Sequence, residues 1–220
     1  MKQFTRYTTR LAGLSLLIGP GLVVSAALLA AAGIGTTTTR WYDNQLEGLL
    51  MASGFSLQLV GLVELCRRIG AERPLLGTII TFTSAIGTMG SIFPAAVRIF
   101  SAVELDLGIT VAQLDRIYGP ASDGIDPMII VFPFVLFFFI NYLLLSFGLW
   151  RSKIAPRVSP ILLVIGTILF IIGQSSFEVG YPAYIGGVIA WFLGLTPISW
   201  RLLSENKPSE EMLSQAISGN

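Results

Sequence analysis

Histidine is absent from the chain, and cysteine occurs once, at Cys66. The lack of histidine removes the most common metal ligand and the most common general base. A single cysteine excludes an intrachain disulfide and any zinc or iron–sulfur site built from several cysteines. Charge is also scarce, since 12% of the 220 residues are charged, against about a quarter in soluble domains. We therefore expect no metal or other cofactor and no soluble globule.

Apolar residues take the place of the missing charges. The chain is 53% hydrophobic, its mean hydropathy is +0.74, and its net charge of +1 offers no footprint for nucleic acid. A membrane-spanning helix needs about 20 mostly apolar residues. Six segments have that character, at about 11–34, 46–65, 75–97, 128–150, 160–177 and 183–200. Their continuous apolar runs indicate helices rather than barrel strands, so the sequence predicts an all-α polytopic bundle of about six transmembrane helices.

The basic residues orient this bundle. All but three of the 14 lie before the first segment, in alternate connections, or after the last segment; the exceptions are Arg40, Arg98 and Arg116. Because basic residues near helix ends stay cytoplasmic, both termini and the tail 201–220 are predicted to be cytoplasmic. The loop 98–126, with a short helix at Val111–Tyr118, is then extracytoplasmic. The first segment exceeds the 7–15 apolar residues of a signal-peptide core, so we expect it to remain as a membrane helix.

Two segments carry stripes of small residues at helical spacing. The stripe of the third segment is Gly77, Thr81, Ser84, Thr88, Ser91 and Ala95, and that of the sixth is Ala183, Gly187, Ala190, Gly194 and Pro197. Small residues let helix backbones approach closely in lipid. Helix packing is the favoured interpretation, with the third helix at the centre of the bundle. A cavity lined by one stripe is the alternative.

Amide side chains fall at mid-membrane depth in two segments. Gln58 lies in the second segment and Asn141 in the fourth, and Ser84 in the third shares their depth. A polar group in hydrocarbon needs a hydrogen-bond partner. We expect both amides to face the interior and at least one to bond to another helix. A ligand site lined by the amides is the alternative.

A second polar cluster is predicted at the outer ends of the helices. It contains Arg98, Gln174 and Glu178, with Asp43 and Glu47 before or at the start of the second segment. Charged groups at the membrane are functional candidates by default. At interface depth, however, solvation is inexpensive, so the sequence favours a solvated rim and no buried carboxylate.

The cytoplasmic connection after the fourth segment carries a resemblance. The residues FGLWRSKIAPR, from Phe147 to Arg157, and the apolar run that begins at Leu162 resemble the helix-end turn of uncharacterised bacterial six-helix membrane proteins, which are grouped only as domains of unknown function. The resemblance implies a multi-pass protein of the bacterial inner membrane. It implies no site residue, because those families have no agreed activity.

Three classes of function remain open at this point. A non-catalytic membrane module that binds lipid, a membrane-protein partner or a second copy of itself is favoured, because the chain lacks the usual catalytic groups. A small transporter or channel would need the polar level of Gln58, Ser84 and Asn141. An intramembrane enzyme would have to use rim groups such as Arg98, Glu178 and Asp126.

Overall fold

The computed structural model of the chain describes residues 2–35, 44–118, 127–175 and 177–205, with side chains for these residues outside 2–6, 115, 118, 127–131, 174–175 and 177–180. The helices in these ranges are α1 (Lys2–Ala31), α2 (Gln45–Glu72), α3 (Pro74–Asp106), α4 (Val111–Tyr118), α5 (Pro127–Ser152), α6 (Val158–Ser175) and α7 (Phe177–Ser204). The predicted all-α class is confirmed.

The six long helices pack in chain order and close into a ring. Each packs along the next, from α1 through α2, α3, α5 and α6 to α7, and α7 returns to pack along α1. Neighbours are antiparallel: Gly70 near the end of α2 meets Gly77 near the start of α3, and Ser199 near the end of α7 donates to the Gly13 carbonyl in α1. The α2–α3 turn, the α5–α6 turn and the end of α7 therefore share one end of the bundle, called here the basic end.

Among the described residues, five helices are long and apolar enough to cross a membrane: α1, α2, α3, α5 and α7. The shorter α6 has 18 residues, and at 1.5 Å per residue it extends about 27 Å, close to the ~30 Å of a hydrocarbon core. It corresponds to the weakest of the six predicted segments. The chain is thus a polytopic helical bundle of the membrane-protein class.

Local sequence explains where the helices end. Arg73 alone separates α2 from α3, and Pro74 begins α3 because proline has no N–H to lose at a first helical position. Gly33 after α1 and Gly108 after α3 have φ values of +72° and +90°, a backbone conformation that favours glycine. After α3, Ile109 N–H bonds to the Glu104 carbonyl and Gly108 N–H to the Leu105 carbonyl, as in a Schellman cap.

The predicted central position of the third helix is wrong. The corresponding helix α3 lies in the ring between α2 and α5, as each long helix lies between two neighbours. Its stripe does face inward: Gly77, Ser84, Thr88, Ser91 and Ala95 are buried, and Thr81 is exposed. The two neighbours account for this position, because the stripe packs on α2 while Gly87 and Gly90 approach the α5 backbone at Phe138 and Phe134.

The loop predicted over 98–126 begins later than expected. Helix α3 continues to Asp106, because the stretch after Val97 contains no glycine or proline before Gly108. The predicted short helix is confirmed as α4, with Leu114 fully buried. The remainder of the loop at 119–126, the segment 36–43 and the tail 206–220 lie outside the described residues.

Candidate functional site

The two mid-membrane amides face the interior, as predicted. Gln58 and Asn141 are each 2% exposed. The Gln58 Nε2 donates to the Tyr142 hydroxyl at 2.6 Å, which joins α2 to α5. The Ser84 hydroxyl donates to Asn141 Oδ1, also at 2.6 Å, which joins α3 to α5. Ser84 therefore bonds to Asn141 and does not bridge to Gln58. The two acceptors, Asn141 and Tyr142, are consecutive residues of α5.

Aromatic rings fill the interior beside this polar layer. Tyr142 stacks on Trp191 of α7 with centroids 4.5 Å apart, and Trp191 stacks on Phe170 of α6 at 4.7 Å. Phe138 packs edge-on against Trp191 at 5.3 Å. The Trp191 indole N–H donates to the Thr167 hydroxyl at 3.2 Å. Edge-on and stacked aromatic contacts of this kind stabilise a packed core, so these rings occupy the space between α5, α6 and α7.

The second small-residue stripe also serves packing. A Cβ added at Gly187 would lie 2.8 Å from the Phe170 backbone nitrogen, and one at Gly194 would lie 3.1 Å from the Ser159 carbonyl oxygen. On the facing helix, a Cβ at Gly166 would lie 2.8 Å from the Gly187 carbonyl oxygen. The stripe therefore brings α6 and α7 into backbone contact and does not line a cavity there.

The outer rim differs from its predicted solvated state. Arg98 of α3 and Glu47 of α2 are each 4% exposed, and Arg98 Nε lies 3.3 Å from Glu47 Oε2. The Tyr184 hydroxyl of α7 donates to Glu47 Oε1 at 3.3 Å. This is a buried ion pair that joins three helices, and it corrects the expectation that the chain has no buried carboxylate. The cause is the extra length of α3, which places Arg98 inside a helix facing α2.

The other members of the predicted rim cannot be placed in the same way. The structure describes the backbone of Gln174 and Glu178 but not their side chains, and Asp43 and Asp126 lie outside the described residues. The cluster that the structure does show consists of Glu47, Arg98 and Tyr184, with Asn44 capping the start of α2 through the Glu47 N–H at 2.9 Å. The sequence pattern indicated the two charges but not Tyr184.

A salt-bridge network closes the basic end. Glu64 pairs with Arg67 and Arg68 on its own helix, at 2.8 Å and 2.9 Å, as expected from the i, i+3 and i, i+4 spacings. Arg68 also bonds to Glu205 after α7 at 2.8 Å. The hydrogen bond from Arg68 holds the pKa of Glu205 below its ordinary value of 4.5. This network ties the end of α2 to the end of α7.

The pKa of Glu205 predicts a pH dependence of stability. Because its pKa is lowered by folding, Glu205 contributes stability above pH 4.5 that is lost as the pH falls through the folded-state pKa. Glu205→Gln should lower the free energy of unfolding at pH 7 by at most about 1 kcal/mol and should flatten the acid loss. Thermal unfolding in detergent between pH 7 and pH 3 measures both. Glu72→Gln is the matched control; an equal effect of the two substitutions would contradict the assignment.

The Gln58–Tyr142 bond predicts a small, coupled effect on stability. Interhelical hydrogen bonds in membranes average about 0.6 kcal/mol, so Gln58→Leu and Tyr142→Phe should each cost about that much. The double variant should cost no more than either single one, because both remove the same bond. Thermal unfolding in detergent tests this, with Ser56→Ala as control, since that hydroxyl donates within its own helix, to the Ala52 carbonyl. Strictly additive losses would show that the bond is not formed.

The polar groups of this site bond the helices to one another and are less suited to transforming a substrate. In the part of the chain with described side chains, no three cysteine or acidic residues come together as a metal-binding group requires. No family model, curated protein or solved structure matches the chain. The site is therefore defined by its own geometry: a layer of paired polar groups inside the bundle, an aromatic interior, and a buried ion pair near the end opposite the basic end.

Proposed function

We propose that the chain is a non-catalytic membrane module that binds a lipid or a membrane-protein partner on its outer surface. The observation that supports this is the pairing of interior polar groups with one another across helices. Gln58 bonds to Tyr142, Asn141 to Ser84, and Glu47 to Arg98 and Tyr184. Polar groups that are satisfied within the bundle stabilise it and are not available to a ligand.

The proposed setting is the bacterial plasma membrane, with both termini in the cytoplasm. The support is the distribution of basic residues and the shared basic end to which Arg68 and Glu205 belong. A Cys66→Ser protein with one cysteine introduced at Asp115 or at Arg73 tests the orientation in intact cells. An impermeant maleimide should label the first and miss the second; the reverse pattern would contradict it.

Purification in mild detergent, followed by mass spectrometry of co-purifying lipids and proteins, tests the function. The module should retain a specific lipid or partner, and the variant Gln58→Leu/Asn141→Leu should retain it equally, because these amides only hold helices. A clean monomer with nothing bound would contradict the proposal.

A small transporter is the second candidate, and the buried Glu47–Arg98 pair favours it. Ionisable residues inside membrane bundles commonly mark ion or substrate pathways, and Gln58 and Asn141 place polar groups deeper in the same interior. Proteoliposomes that carry the wild type should then show substrate flux that Asn141→Leu abolishes. Flux that is unchanged by this substitution would exclude a pathway through the polar layer.

A further inference from the structure

The α5–α6 turn concentrates positive charge at the basic end. From residue 127 to residue 177 the sequence contains Arg151, Lys153 and Arg157 and no aspartate or glutamate. All three side chains are exposed. Among the described side chains, none of the three has a carboxylate within salt-bridge distance. Three cations therefore lie within seven residues with no counterion among the described side chains.

Two carboxylates of the same end, Glu64 and Glu205, pair with arginines outside the turn. Glu64 accepts from Arg67 and Arg68, and Glu205 pairs with Arg68 and Arg201. Arg201 also donates to the Ile154 carbonyl at 2.7 Å, which fixes the end of α7 against the turn. Arg67, Arg68 and Arg201 beside α2 and α7 are thus each paired with a carboxylate, whereas no described carboxylate pairs with Arg151, Lys153 or Arg157.

The direction of Arg151 indicates where its counterion lies. Its guanidinium carbon sits 5.5 Å from the centre of the Phe147 ring, one helical turn deeper in α5. Phe147 is half exposed on the outer surface of the bundle, and so is the neighbouring Trp150. Exposed phenylalanine and tryptophan at a helix end are typical of the acyl-chain and headgroup levels of a bilayer. Arg151 is therefore held on the lipid-facing side of the turn, at headgroup depth.

We propose that Arg151, Lys153 and Arg157 at the α5–α6 turn bind the phosphate headgroup of an anionic phospholipid. This inference rests on the proposed function and names the lipid class for it. Guanidinium and ammonium groups pair with phosphate oxygens through charge-assisted hydrogen bonds. Phe147 and Trp150 provide the apolar surface on which the first part of an acyl chain lies.

The test compares two lipids on the purified full chain. Brominated phosphatidylglycerol and brominated phosphatidylcholine, in vesicles of otherwise unlabelled phosphatidylcholine, quench exposed tryptophan, and Trp150 adjoins the proposed site. Trp41→Phe/Trp200→Phe leaves Trp150 as reporter beside the buried Trp191. Each cation near an anionic headgroup raises the affinity about fivefold. The quenching curves should therefore show an affinity for phosphatidylglycerol on the order of a hundredfold higher than for phosphatidylcholine. Added salt should weaken that preference.

Substitutions then test whether these three residues cause the preference for phosphatidylglycerol. Arg151→Gln/Lys153→Gln/Arg157→Gln should abolish the preference, each single substitution should reduce it about fivefold, and Arg116→Gln, an exposed arginine of α4, should leave it unchanged. Unchanged thermal unfolding confirms that the variants fold. Equal quenching by both lipids in the wild type, or a preference that survives the triple substitution, would overturn the inference. So would complete loss of the preference on adding inorganic phosphate at matched ionic strength, since free phosphate would then be the ligand.

The two proposals fail separately. If the lipid preference is absent but a protein still co-purifies, the module proposal stands and the headgroup site does not. If the headgroup is bound at the turn but Asn141→Leu abolishes substrate flux, the headgroup site stands and the module proposal does not.

Discussion

Arg98→Met should destabilise the protein by about 3–5 kcal/mol, because it leaves the Glu47 carboxylate buried without its cation. Adding Glu47→Leu should recover most of that loss, since an apolar pair removes the uncompensated charge. Thermal unfolding of the purified protein in detergent measures both variants.

The matched control for this prediction is Arg67→Met. Arg67 also pairs with a glutamate, but its side chain is 61% exposed and Glu64 keeps Arg68 as a second partner. Its loss should cost at most about 1 kcal/mol. If Arg98→Met and Arg67→Met had similar effects, or if the double variant were no more stable than Arg98→Met, the ion pair would not be buried as described.

The second large effect is expected at the α6–α7 contact. A Cβ at Gly187 would lie 2.8 Å from the Phe170 backbone nitrogen and 2.9 Å from the Gly166 carbonyl oxygen. Backbone atoms cannot move aside as a side chain can, so Gly187→Ala must separate the helices. We expect a loss of about 1–3 kcal/mol, as for an overpacked core.

The adjacent glycine supplies the control. A Cβ at Gly186 would meet only the Leu169 side chain, at 3.6 Å, which is ordinary contact. Gly186→Ala should be neutral or should stabilise α7 slightly, because alanine favours the helix over glycine by about 1 kcal/mol. Thermal unfolding of the two single variants separates these outcomes. A Gly187→Ala protein as stable as Gly186→Ala would show that the two helices are not in backbone contact.

Most of the fold follows from patterns that act over short distances. Apolar length predicts the membrane helices, and Pro74 and Gly108 mark helix boundaries through their backbone chemistry. The ring order does not follow from such patterns. The stripe of α3 correctly indicated close packing, but a stripe shows that a neighbour exists and not which helix it is, so the central position was wrongly predicted.

The candidate site was predictable only in part for the same reason. The depth of Gln58 and Asn141 along their segments predicts that both amides are buried. The pairing of Gln58 with Tyr142 depends on the contact of α2 with α5 across the ring, which the sequence does not indicate. Glu47 and Arg98 were both named from the sequence but assigned to solvent. Their burial depends on the continuation of α3 to Asp106, which the lack of glycine and proline before Gly108 permits. It depends also on the approach of Tyr184 from α7, which is not visible in the local sequence.

The central claim is that the polar layer inside the bundle holds helices together and admits no water path. The single native cysteine reports on it directly, since Cys66 is 1% exposed and its Sγ lies 3.8 Å from the Ser84 hydroxyl. A small water-soluble thiol reagent, applied to wild-type protein in membranes, should leave Cys66 unmodified while the protein is folded and modify it fully after denaturation in SDS. Rapid modification of Cys66 in the folded protein would contradict the claim.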